Sequence, residues 1–85
     1  MDLRTRWVSD SDGALRVMAV LPGPEPRYRV FEARPGRRWH AVTGIITDGS
    51  DWREHVTDDT EPVSAGVGDW LDRQVAQHHA AGGVR

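Results

Sequence analysis

The chain has no cysteine and no lysine among its 85 residues. Without cysteine there are no disulfides, no thiolate metal ligands and no cysteine nucleophile. A small domain lacking all three suits the cytoplasm, which is the expected location. Without lysine, all eleven basic side chains are arginine. That bias matches a GC-rich bacterial coding background, and it keeps the guanidinium fork available for carboxylates or phosphates. Long apolar runs are missing too: none approaches the roughly 18 residues needed to span a bilayer. Residues 1–13, MDLRTRWVSDSDG, contain no apolar core of a secretory signal. A soluble, intracellular protein with no membrane partner is expected.

Enzyme signatures are absent as well. There is no G-x-S-x-G, no H-E-x-x-H, no P-loop and no dinucleotide-binding glycine pattern. Ser64, Asp69 and His78 are the right types for a nucleophilic triad, but nothing in their spacing favours one. His78 and His79 are adjacent, so on a helix they point about 100° apart, unlike a chelating i, i+4 pair. His40 or His55 joined to one of them and an acid is the remaining metal arrangement. Exposed or hydrogen-bonded histidines are the simpler reading. No catalytic residue, metal ligand or cofactor is expected.

What the chain does have fits one small domain over residues 1–85. At this length the core is thin, and net stability is on the order of 4–13 kcal/mol. The hydrophobic fraction is 38%, with four tryptophans to anchor a core. Charge is unevenly spread. Residues 1–40 carry eight arginines against five acids, a net +3, whereas residues 41–85 carry three against eight, a net −5. Such asymmetry either marks a polar binding surface or is neutralised across the fold.

Residues 14–21, ALRVMAVL, are nearly all apolar between turn residues, as a central strand covered on both faces would be. Residues 1–13 supply an edge strand or a flexible arm, joined through Asp12-Gly13, a pair that tolerates positive φ. The prolines of PGPEP force a loop. Residues 28–44 then read as a hairpin around Pro35-Gly36. Pairing across a loop of even length sets Val30 opposite Ala41. Tyr28, Val30, Trp39, Ala41 and Ile45 then share one face, and Arg29, Phe31, Arg38, His40 and Val42 the other. Residues 47–61 are acidic and read as a surface loop, with Asp51 and Glu54 capping one turn that carries Trp52 and Val56. Trp52 is read either as a lid over the core or as an exposed contact. Residues 63–81 form the C-terminal helix, weakened at Gly66 and Gly68, firm from Val67 and ended by Gly82.

The resulting fold class is α+β: a three- to four-stranded antiparallel β-meander with one C-terminal α-helix packed on one face. Trp39 and Trp70 are expected between sheet and helix. With the helix over Val17, Ala19, Val30, Trp39 and Ala41, the opposite face carries Trp7, Met18, Val20, Phe31 and Val42. That uncovered apolar surface, fringed by Arg16, Arg29, Arg38 and His40, is the expected binding site. Its partner is expected to be another protein or a second copy, making the chain a non-enzymatic interaction or regulatory module. The alternative is nucleic acid, with arginines on phosphates and Phe31 or His40 stacking on bases.

Overall fold

A computed structural model describes residues 3–47 and 51–82 of the chain. Five strands follow one another, β1 Arg4–Ser11, β2 Ala14–Leu21, β3 Arg27–Ala33, β4 His40–Thr43 and β5 Val56–Pro62, before the helix α1 Ala65–Gly82. All neighbours are antiparallel and the spatial order is the chain order, an up-and-down meander. The α+β class is as the sequence implies, with a fifth strand added.

The first hairpin closes at Asp12 and Gly13, both at positive φ (55° and 72°), as a two-residue turn matched to strand twist requires. The ladder shifts between Thr5 and Trp7, and this bulge turns Trp7 to the face away from the helix. Thr5 stays on the helix side, where its hydroxyl donates to Gln74 Oε1 at 2.8 Å. β2 is an interior strand, paired on both sides. Val17 and Ala19 enter the helix-side cluster and Met18 the opposite one.

The β3–β4 pairing corrects the expected register. Phe31, not Val30, lies opposite Ala41, and Glu32 lies opposite His40. Pro35-Gly36 does make a turn, closed by Arg37 N–H donating to the Arg34 carbonyl at 2.9 Å, with Gly36 at φ 74°. Arg38 is one residue more than a symmetric loop holds, so the loop is odd. A one-residue slip flips every side chain of a strand. Phe31 therefore joins Trp39 and Ala41 under the helix, and Val30 and Tyr28 join Val42 on the far face. Past Thr43 the partner strand bulges before Tyr28 pairs with Ile46. Ile46 is buried by that return, whereas Ile45 is left 53% exposed.

A second correction concerns residues 47–61. Residues 48–50 lie outside the described residues. Asp51 does cap a single turn, a 3₁₀ turn at Trp52–His55, by accepting from Arg53 N–H at 3.0 Å. Val56, expected on that turn, instead starts β5. β5 is an edge strand, and edge strands are often charged because charge discourages pairing with other chains. Its polar sequence carries no alternation to reveal it.

Helix α1 starts at Ala65, ahead of the expected firm start at Val67, so Gly66 and Gly68 do not prevent the first turn. Ser64 caps it: Val67 N–H donates to Ser64 Oγ at 3.3 Å. Leu71 and Val75, one turn apart, are buried, with Val67 and Trp70 packed beside them. Trp39 is buried in the same cluster and donates from Nε1 to Asp72 Oδ1 at 2.8 Å. The helix lies over β1 and β2, tied at its far end by His79 Nε2 and Asp10 Oδ2 at 2.9 Å. Among the described residues no helix is long and apolar enough to cross a membrane.

Candidate functional site

The sheet face away from the helix holds Met18, Val30, Val42 and Ile46, all buried. Trp7, Tyr28 and Trp52 pack against them. Of the expected site residues, Trp7, Arg16, Met18, His40 and Val42 come to this side, but the surface they form is not bare. Trp52 leans on Trp7 with ring centroids 6.1 Å apart. The guanidinium carbons of Arg16 and Arg53 sit 5.6 and 5.5 Å from the Trp52 ring centroid, on the scale of cation–π contact. Trp52 is thus a lid, and the apolar face expected to be open is largely closed.

Arg16 is also held by Glu32, with Nε 2.8 Å from Oε2, and Glu32 takes Arg34 Nε at 3.3 Å on its other oxygen. His40 Nδ1 lies 3.2 Å from the Arg38 carbonyl oxygen. Arg38 itself is exposed in the β3–β4 loop, away from Trp7 and Met18. Arg29 and Phe31 fall on the helix side of the sheet, apart from the other expected site residues. Phe31 is 5% exposed and belongs to the helix-side core.

The helix side contains the surface that sequence reasoning missed. Because α1 lies mainly over β1 and β2, it covers the same sheet face only in part. A half-open groove of about 600 Å³ forms there. Phe31, Ala41 and Arg29 line it from β3 and β4, and Leu3, Leu21 and Pro22 from the β1–β2 side. Val63, Ser64 and Val67 at the start of α1 also line it, together with Ile45, Glu61 and Pro62. Nine of these twelve side chains are apolar. The size and lining match small recognition pockets, which are apolar with a few placed polar groups. One sequence signal pointed here: two adjacent isoleucines, Ile45 and Ile46, cannot both face one side of a strand.

Arg29 and Glu61 are the charged groups of the groove. Arg29 Nε donates to the Thr43 carbonyl at 3.0 Å and its Nη2 meets Glu61 Oε2 at 3.0 Å. The positive first half and negative second half of the chain therefore meet across the sheet at this pair.

Among the described residues no three His, Asp or Glu side chains gather as a metal ion would need. Ser64 and His78 stand fourteen positions apart on one helix and its cap, roughly 21 Å at 1.5 Å per residue. Comparison of the chain with protein-family models, with curated proteins and with solved structures finds no match.

Proposed function

We propose that this domain is a non-enzymatic binding module that takes an apolar group of a protein partner into the helix-side groove. The observation that carries the reading is the groove itself: apolar walls, an exposed Ile45 at the rim and a floor of buried Phe31 and Ala41 on paired strands. A preformed floor lowers the ordering cost of binding. The partner is a different protein or a second copy of the chain, and the cytoplasm is the proposed setting. The sheet face first expected to bind has less in its favour, because Trp52 already fills it.

Nucleic acid is the weaker reading. Phe31 is 5% exposed at the floor of the groove, not on an open sheet face where successive bases could stack. Arg16 is held by the part-buried carboxylate of Glu32, which offsets the charge a phosphate would need. Among the described residues the exposed arginines are divided among β1 (Arg4, Arg6), the β3–β4 loop (Arg34, Arg37, Arg38), the 3₁₀ turn (Arg53) and α1 (Arg73), and do not follow one element as a backbone-tracking stripe would.

The test is Ile45→Glu, which sets a charge at the groove rim without touching a buried residue. Binding of a short apolar peptide, read by isothermal titration, should fall about ten-fold or more while the melting temperature holds. Unchanged affinity in a folded variant would count against the groove.

A further inference from the structure

We propose that the groove receives the C-terminal end of a partner polypeptide, with its last apolar side chain inside and its α-carboxylate on Arg29. The inference rests on the groove being the binding surface and names the chemistry of its occupant.

Arg29 is a cation fixed before any ligand arrives. Its bond from Nε to the Thr43 carbonyl sets the plane of the guanidinium. The side chain is only 27% exposed, whereas that of Glu61, its carboxylate partner, is 68% exposed on the edge strand. A pair with one partner in water is weak, and Glu61 can rotate outward at little cost. Glu61 thus occupies, from the rim, the position an incoming carboxylate would take. Exchange keeps Arg29 neutralised throughout. The guanidinium has five N–H donors, of which the Thr43 and Glu61 bonds use two, so an entering carboxylate has room for a forked approach.

The rest of the lining decides between kinds of carboxylate. Arg29 lies in the same groove as Phe31, Ala41 and Val67, so the anion and the apolar group of the ligand must be close neighbours. A chain end meets this need, because its last residue carries both on one Cα. An internal Asp or Glu carries its carboxylate on a separate, flexible side chain that must also be ordered. A volume of about 600 Å³ accommodates a few side chains, not the face of a helix.

The probe is a synthetic hexapeptide ending in leucine and phenylalanine, prepared as the free acid and as the C-terminal amide. Each is titrated into the whole chain by calorimetry, with backbone amide shifts locating the contact. The acid should bind at the groove about ten-fold or more tighter than the amide, the scale of one charge-assisted hydrogen bond. Glu61→Gln removes the competing carboxylate, so it should tighten the acid by about 1.5- to 5-fold and leave the amide unchanged. Sodium octanoate should bind more weakly than the peptide acid. Equal affinity of acid and amide at the groove would overturn the carboxylate assignment while leaving the groove as a binding surface. Octanoate binding as tightly as the acid would reassign the groove to small amphiphiles. A groove silent to every probe would remove both the binding surface and this inference.

Discussion

The two faces of the sheet are closed by different means. An eighteen-residue helix covers one, sinking Leu71 and Val75 into a cluster with Val17, Ala19, Phe31 and Trp39. Trp52, on a four-residue turn, covers the other together with Trp7 and Tyr28, over Met18, Val30, Val42 and Ile46. The larger cover is the less complete. A helix is straight, so lying mainly along β1 and β2 it leaves part of the face at β3 to β5 uncovered. The turn is short, and it sets one large ring at the centre of a small cluster. A binding surface is therefore to be sought beside the large element, not on the face that lacks a helix.

The comparison breaks most sharply at Phe31. Phe31→Asp puts an unpaired carboxylate under the helix and removes a large ring, a loss of roughly 3–5 kcal/mol or more. For a domain of this size that means unfolding, visible as lost circular dichroism. A folded Phe31→Asp variant would return Phe31 to the outer face and restore the even-loop register.

Thr43 probes the seam between the faces. Its buried Oγ1 accepts from Val30 N–H at 3.1 Å and donates to the Gly44 carbonyl at 2.8 Å, where the β3–β4 ladder breaks. Thr43→Val keeps the shape and strands the Val30 N–H, costing roughly 1–3 kcal/mol in denaturant unfolding. A neutral result would mean that Val30 finds another acceptor.

Trp52 tests the smaller cover. Trp52→Ala should cost about 1–2 kcal/mol, because the ring is only partly buried. It should also raise binding of an apolar dye, since Met18 and Val42 lose their lid. Dye binding at the wild-type level would mean that Trp52 does not close that face.

The smallest effect belongs to the tie at the far end of the helix. His79 and Asp10 are each about half exposed, so Asp10→Asn should change stability by roughly 0–1 kcal/mol. A loss well above that range would make this contact, and not Leu71 and Val75, the main anchor of the helix.

What the sequence makes legible follows from where the signal is local. The apolar run of β2, the paired positive-φ residues Asp12-Gly13 and the spacing of Val67, Leu71 and Val75 each declare themselves within a few residues. The β3–β4 register does not, because it turns on whether Arg38 belongs to the loop or to the strand. That single residue moved Phe31 from the expected site into the core. β5 was hidden by its charge, and the bulge at Thr5–Trp7 by the lack of any glycine or proline to mark it. The groove was illegible for another reason. It depends on which strands the helix lies over, a relation between distant segments that no window of sequence contains.

The most direct test of the groove as the binding surface is a map of backbone amide shifts as an apolar peptide is titrated into the chain. The account predicts shifts clustered at Phe31, Ala41, Ile45, Val63 and Val67, with Trp7 and Trp52 unmoved. Shifts centred on Trp7, Met18 and Trp52, with the helix start unmoved, would contradict it.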